Sequence, residues 1–303
     1  MDNVFFGNSG AEANEAALKI ARKYGHQQGV DLPTVVVMEG SFHGRTMATL
    51  SATGNAKVRE WFEPLVEGFL RVPYNDIEAV QAAAASNPNI VAILVEPVQG
   101  EGGINVPAAD YLPRLRQICD ERNWLLMLDE IQSGMGRTGR FFAYQNYDLF
   151  PDVVTVAKGL GNGFPIGACL ARGRAAEVIQ PGNHGSTFGG NPLACHTAQA
   201  VLDTMVSEQL MPRAAALGEG IRRQLGEALA DSPRVKQIRG MGLMIGIELD
   251  SSCGELVERA LARGLIINVT AGKVIRLLPP LIFSDEVAAT LVRILVDLIA
   301  DFR

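Results

Sequence analysis

Four short stretches of this chain are continuously apolar and then meet a charged residue: TVVVME, VAILVEP, WLLMLDE and DVVTVAK. A strand with one wet face alternates apolar and polar residues. A strand without that alternation is buried on both faces, as in parallel sheets covered by helices. Helical stretches lie between several of the runs, for instance AADYLPRLRQICDERN ahead of WLLMLDE. The alternation of strand and helix predicts an α/β domain with a mainly parallel sheet between helices. NVFFGNSG reads as an interior strand and turn, and GAEANEAALKIARKYG as a helix. In that helix Ala13, Ala16, Ala17, Ile20, Ala21 and Tyr24 share one face at the helical period. Ser9 is the expected N-cap and Gly25 the expected stop.

A long helix is expected from about Pro192, where a missing N–H costs least. Beyond it the order changes to helix, strand, helix and hairpin, through VKQIRGMGLMIGIEL and GLIINVTAGKVIRLLPP. That order predicts a smaller α+β domain over 208–303, following a large domain over 1–207.

Composition excludes several classes. The net charge of the 303 residues is -6, with no basic block and no aromatic-basic stripe, so nucleic acid is not an expected partner. The most apolar tail, LVRILVDLIADF, is interrupted by Arg293 and Asp297 and reads as an amphipathic terminal helix rather than a membrane span. MDNVFF lacks the basic and apolar regions of a signal peptide, and a cytoplasmic protein is expected. Cys119, Cys169, Cys195 and Cys253 form no CxxC pair, and His26, His43, His184 and His196 show no ligand spacing. No metal site, zinc site or disulfide framework is expected, and the histidines suggest no chemistry.

The charged ends of the apolar runs carry the chemistry. Lys158 and Asp129 each close a buried strand, so both should open into the crevice at the strands' carboxyl edge, where α/β folds bind ligands. Desolvation there lowers an amine's pKa and makes it a better nucleophile toward a carbonyl. Two readings of the pair stay open: a plain ion pair, or a Schiff-base lysine with an acid that partners a pyridinium nitrogen, as in pyridoxal phosphate enzymes. GNSGAEANEAA leads a small-residue turn into a helix start, which suits a phosphate. In SFHGRT, Phe42 is placed to lie against an aromatic ring and Arg45 to clamp a carboxylate. EPVQGEGG puts Glu96 and Glu101 near the same edge, and HGSTFGGNP offers the hydroxyls of Ser186 and Thr187. GMGRTG, from Gly134 to Gly139, fits the pattern G-x-G-x-x-G. It does not join a strand directly to a helix, and two carboxylates precede it, so a dinucleotide site is not expected.

NSGAEANEAALKIAR, SFHGRT, EPVQGEGG, LDEIQSGMGRTG, AKGLGNGFPIG, STFGGNPLAC and IRGMGLMIGIEL occur in one order over essentially the whole chain. Together they resemble the class-III, fold-type-I pyridoxal phosphate aminotransferases, within them the enzymes acting on acetylornithine, succinylornithine or ornithine. The resemblance implies pyridoxal 5'-phosphate as cofactor, held covalently by Lys158, with Asp129 on the pyridine nitrogen and Gln132 near the phenolic oxygen. It places Ser9, Gly10 and Ala11 at the phosphate, Phe42 on the ring, and Glu130 among the cofactor-binding residues. Thr187 matches a phosphate contact given by the other subunit, which implies a homodimer with shared active sites. Arg45, Glu101, Ser186 and Arg276 fall to substrate. Arg276 matches the arginine for the α-carboxylate of glutamate, and Glu101 the acid that pairs with it when a diamino substrate enters.

The implied reaction passes the ω-amine of N-acetylornithine to 2-oxoglutarate, giving a semialdehyde and glutamate, in arginine biosynthesis. Succinylornithine, ornithine, succinyl-diaminopimelate and 4-aminobutyrate are the alternative donors. Members of the family carry a sizeable segment ahead of the strand represented by NVFFGNSG, whereas this sequence opens directly before it. The expectation is a complete cofactor core with an altered dimer edge and outer substrate pocket. Cofactor binding with impaired turnover is the rival outcome.

Overall fold

The computed structural model describes residues 1–302. In chain order the elements are β1 (Asn3–Gly7), α1 (Gly10–Gln27), β2 (Thr34–Met38), α2 (Met47–Ala52), α3 (Ala56–Arg59), β3 (Phe69–Val72) and α4 (Ile77–Ser86). Then come β4 (Ile90–Val95), α5 (Tyr111–Arg122), β5 (Leu125–Asp129), β6 (Val153–Val156), β7 (Gly167–Ala171), α6 (Pro192–Ser207) and α7 (Leu210–Ala228). The chain continues through β8 (Val235–Met241), β9 (Met244–Leu249), α8 (Leu256–Ala262), β10 (Asn268–Thr270), β11 (Val274–Leu277) and α9 (Asp285–Ala300).

The apolar runs form the middle of a seven-stranded sheet ordered β1-β7-β6-β5-β4-β2-β3. Strands β2 to β6 run parallel, and β7 is antiparallel to both of its neighbours. Every residue of β2, β4, β5 and β6 is buried, as the unbroken apolar runs require. One side of the sheet packs on α1, whose Ala13, Ala16, Ala17, Ile20, Ala21 and Tyr24 are all buried. The other packs on α4 and α5, through Val80, Leu112 and Leu115. Among the described residues no helix is long and apolar enough to cross a membrane.

A second, antiparallel sheet, β10-β11-β9-β8, is backed by α7, α8 and α9 around Leu225, Ile247, Leu256 and Leu295. We propose the division between the two units just after residue 207, where α6 ends. Met205 and Leu210 still belong to the first core, and the second begins at Ala214.

Three local expectations are corrected. β1 is an edge strand of the sheet rather than an interior one, with Asn3 and Val4 exposed. Gly25 does not stop α1, which continues to Gln27. A Cβ at Gly25 would come within 2.8 Å of Pro33 and Val91, so the glycine serves close packing. β6 ends at Val156, two residues before Lys158, which has a left-handed backbone at φ 40°. The chain therefore turns out of the sheet before it reaches the lysine.

The two units meet at a backbone junction. The turn between β8 and β9 holds Gly242 at φ 53°, against Arg137 and Thr138, and Leu243 N donates to Arg137 O at 2.9 Å. From the other side, a Cβ on Gly218 of α7 would collide with the carbonyl of Gly242. Gly220, two residues along the same helix, faces open space. Gly218→Ala is therefore expected to destabilise by about 1–3 kcal/mol through overpacking. Gly220→Ala is expected to stabilise by about 0.5–1 kcal/mol through helix propensity. Thermal melts of the two variants should move in opposite directions.

Candidate active site

Strands β2, β4, β5 and β6 all end at one edge of the sheet, and the loops that follow them, with the start of α1, wall a cleft of about 470 Å³. Its lining includes Ser9, Gly10 and Ala11 from the start of α1, and Phe42, His43 and Arg45 from the loop after β2. Glu96 and Glu101 follow β4, Asp129 and Gln132 stand at the end of β5, and Lys158 follows β6. Of the residues singled out in the sequence, these share one cavity. Lys158 and Asp129 face it together.

Asp129 is only 3% exposed. Its Oδ2 accepts from Asn14 Nδ2 at 2.8 Å and contacts His43 Nδ1 at 2.7 Å, and its Oδ1 accepts from the amide of Ile131 at 3.1 Å. Asn14 is held in turn by the carbonyl of His43 and the hydroxyl of Thr155. Nε2 of His43 is buried without a partner. The chain of Lys158 is exposed, yet protein crowds the cleft around its amine. That desolvation lowers the amine's pKa, and the charges of Asp129, Glu96 and Glu101 only partly restore it. Glu96 is pushed up to about 7 by burial, although His43 and the amides of Gly100 and Phe42 favour its ionised form.

At the helix end, Ser9 caps α1 by accepting from the amide of Glu12 at 3.2 Å. Gly10 and Ala11 have no earlier helical residue to take their amides, which leaves the first turn electropositive. A Cβ on Gly10 would come within 2.8 Å of Ile131, so the helix start lies close against the end of β5. Arg276 of β11 pairs with Glu101 of the cleft lining, Nη1 to Oε1 at 2.7 Å, and reaches Gln132 Oε1 at 3.4 Å. Arg45 stands over the ring of Phe42, 5.7 Å from its centroid.

Four expected site residues do not line this cleft: Glu130, Thr187, Ser186 and Arg276, the last of which reaches it only through its bonds to Glu101 and Gln132. Glu130 is fully buried and points the other way. Its carboxylate accepts from Ser133 Oγ at 2.7 Å and from the amides of Ala143 and Tyr144 at 2.9 Å each. Successive side chains at a strand end point to opposite sides, so Asp129 and Glu130 cannot share the cavity. Thr187 is exposed on a loop outside it, and Ser186 accepts from Asn8 Nδ2 at 3.1 Å. His43 and Asn14 were not expected. A signal for Asn14 was present: it is a polar residue between Ala13 and Ala16 on the buried face of the helix, where an amide needs partners. His43 had only its adjacency to Phe42 to mark it.

Burial pushes Glu130 up to about 7, against the pull of its three donors. An acid raised in the fold stabilises most below its unfolded pKa, and that contribution is lost as pH rises through the folded value. Glu130→Gln strands the amide of Ala143 or Tyr144 and should cost about 1–3 kcal/mol at pH 5. The deficit should narrow as pH rises from 5 to 7 and level off above 7. Chemical denaturation of both proteins from pH 5 to 8 measures it, and a weakened cofactor affinity in the variant would contradict a purely structural Glu130.

The family model "Aminotransferase class-III" matches residues 1–299. Acetylornithine aminotransferase of Nitrosomonas europaea is 60% identical over 281 residues, 93% of this chain and 72% of that protein. Acetylornithine aminotransferase 1 of Bordetella pertussis is 53% identical over 302 residues, 100% of this chain and 77% of that protein. Among solved structures, the ornithine aminotransferase of Toxoplasma gondii superposes with a TM-score of 0.95 at 38% identity, covering 99% of this chain and 73% of that one. The acetylornithine aminotransferase of Elizabethkingia anophelis does so with a TM-score of 0.87 at 35% identity, covering 100% and 75%. Motif order, sheet topology and cleft agree with these matches, and the chain belongs to the class-III aminotransferase family.

Proposed function

We propose that this aminotransferase uses pyridoxal 5'-phosphate and moves the ω-amine of N-acetylornithine to 2-oxoglutarate. The observation that carries the reading is the shared cleft of Lys158 and Asp129, an amine of lowered pKa and a buried carboxylate, with a helix start at one end. The residues present fit the cofactor. Gly10 and Ala11 offer amides to a phosphate, Phe42 offers a ring face, and Asp129 offers an anion held by three donors. The relatives named for acetylornithine, at 53–60% identity, support the donor.

Bound there, pyridoxal phosphate supplies the electron sink for the bond broken at the substrate's amine-bearing carbon. Lys158 would anchor it and would serve as the base that takes the proton from that carbon and delivers it elsewhere. Desolvation lowers its pKa, which favours the neutral amine that such an exchange needs. Asp129 would hold the cofactor's ring nitrogen, and His43 and Asn14 fix the direction of its carboxylate. Arg45 receives a substrate carboxylate. Glu101 neutralises Arg276 while the acylated diamino acid reacts and releases it when a dicarboxylate enters. One pocket thereby serves two substrates of different charge.

Adding the cofactor should produce visible absorption, and borohydride should fix pyridoxyl phosphate on the peptide that contains Lys158. Lys158→Ala should lose the trapped adduct and at least about a thousandfold in turnover. Steady-state rates with acetylornithine, succinylornithine, ornithine and 4-aminobutyrate rank the donors. Equal indifference to all four would sink the transamination reading.

Thr187 is exposed and Phe188 is 71% exposed, both away from this chain's own cleft, which supports a homodimer with shared sites. If Thr187 serves the partner's cofactor, Lys158→Ala and Thr187→Ala chains mixed after unfolding should complement. One site of each mixed dimer is then intact, about a quarter of all sites in an equal mixture. Activity no higher than the mean of the two parents would remove the shared-site proposal.

A further inference from the structure

Arg239 of β8 and Arg276 of β11 are both register partners of Gly246, on the strand β9 between them. Directly opposed residues of antiparallel strands project to the same face, so the two arginines flank a gap in which Gly246 has no side chain. Ile104 fills that gap. A Cβ on Gly246 would come within 2.9 Å of the Cβ of Ile104, which is completely buried. Ile104 belongs to the loop after β4 that carries Glu101. The base of this loop is closed by reciprocal backbone bonds between Gln99 and Asn105, 3.1 Å each.

The two arginines hold the loop differently. Arg276 touches the Glu101 side chain, whereas Arg239 grips the backbone. Its Nη2 donates to Gly103 O at 2.7 Å and its Nε to Ile104 O at 2.9 Å. Nη1 bonds Glu248 at 2.6 Å, and Glu248 is itself paired with Lys273 at 2.7 Å, which aims the guanidinium. Thr270 of β10 donates to the carbonyl of Glu101. The backbone of this loop is thus fastened to the second sheet at Glu101, Gly103 and Ile104, while the Glu101 carboxylate is held by Arg276.

We infer that Arg239 and Gly246 form a clamp that fixes the loop backbone, so that the Glu101–Arg276 pair opens by side-chain rotation alone. Arg239 is a positioning residue that acts through Glu101. Its consequence for substrate choice rests on the reading of Glu101 and Arg276 given above; the clamp itself does not. With the backbone fixed, the carboxylate returns to one place each time the pair closes. The acylated diamino donor needs the closed pair and the dicarboxylate the open one. A slack loop therefore penalises the donor half-reaction more than the glutamate half-reaction.

Arg239→Lys keeps a charge for Glu248, but one ammonium cannot span both carbonyls and the carboxylate. Gly246→Ala attacks the clamp from beneath Ile104. In both variants, hydrogen–deuterium exchange of amides 100–105 should accelerate in the cofactor-free protein, a readout that needs no turnover. In the cofactor-loaded protein, the ratio of kcat/KM for acetylornithine to that for glutamate should fall about tenfold in Arg239→Lys. Glu101→Gln should lower the same ratio, and the double variant Arg239→Lys/Glu101→Gln should fall no further than Glu101→Gln alone. Unchanged exchange overturns the clamp. Faster exchange with equal losses in both half-reactions, or additive losses in the double variant, overturns its part in substrate choice. A wild-type protein that uses neither substrate defeats the earlier reading of Glu101 and Arg276, and exchange alone then decides the clamp.

Discussion

The buried carboxylate of Asp129 organises the molecule around it. An anion removed from water costs several kcal/mol unless donors replace the lost hydration. Here three do, from three separate elements: Asn14 on α1, His43 on the loop after β2, and the amide of Ile131 at the end of β5. Asn14 is fixed in turn by Thr155 on β6. One charge therefore ties α1 and two of the central strands together, and it does so at the sheet edge where the cleft opens. Removing any donor would leave a buried charge partly unsatisfied, so the position of each element is constrained by the same anion.

Around that anion the backbone adopts conformations that side chains ordinarily avoid. Lys158, Met135 and Ile104 all have positive φ, at 40°, 55° and 54°. Each such residue costs on the order of 1–3 kcal/mol and persists only where its surroundings over-determine it. All three lie in the loops that follow β4, β5 and β6 at the cleft edge. The strain is offset by the large apolar cores beneath, in which β2, β4, β5 and β6 expose almost nothing. Those cores hold the strand ends still, and the strand ends aim the loops.

The second sheet contributes reach rather than bulk to the site. Its strands bring Arg276 to the side chain of Glu101 and Arg239 to the loop behind it, and both bonds cross between the units. Gly242 lets the backbones of the two units approach closely at Arg137 and Thr138, and Gly218 does the same within the second unit, between α7 and that turn. Relative placement of the units therefore rests on backbone contact and directed hydrogen bonds as much as on apolar area. Geometry of that kind is sensitive to single substitutions.

By itself the sequence determined the layers. Run length, the absence of alternation and the helical period are local properties, and they marked the parallel strands, α1, α6, the β10–β11 hairpin and α9, whereas VKQIRGMGLMIGIEL, which read as one strand, folds as the β8–β9 hairpin. Charged residues at the ends of apolar runs also marked Lys158, Asp129, Glu96 and Glu101 as neighbours, because parallel strands end at a common edge. Only the tertiary structure decided which way each of those groups turns. Glu130 follows Asp129 directly yet lies behind the sheet, and Lys158 stands beyond its strand on a left-handed turn. His43 and Asn14 reach Asp129 from 86 and 115 residues away. Gly25 and Gly246 were indistinguishable from turn or strand glycines until the residues packed on them, Pro33 and Ile104, were in place. A hydrogen bond has a direction and a glycine contact has a partner, and neither is written in the spacing of a single chain.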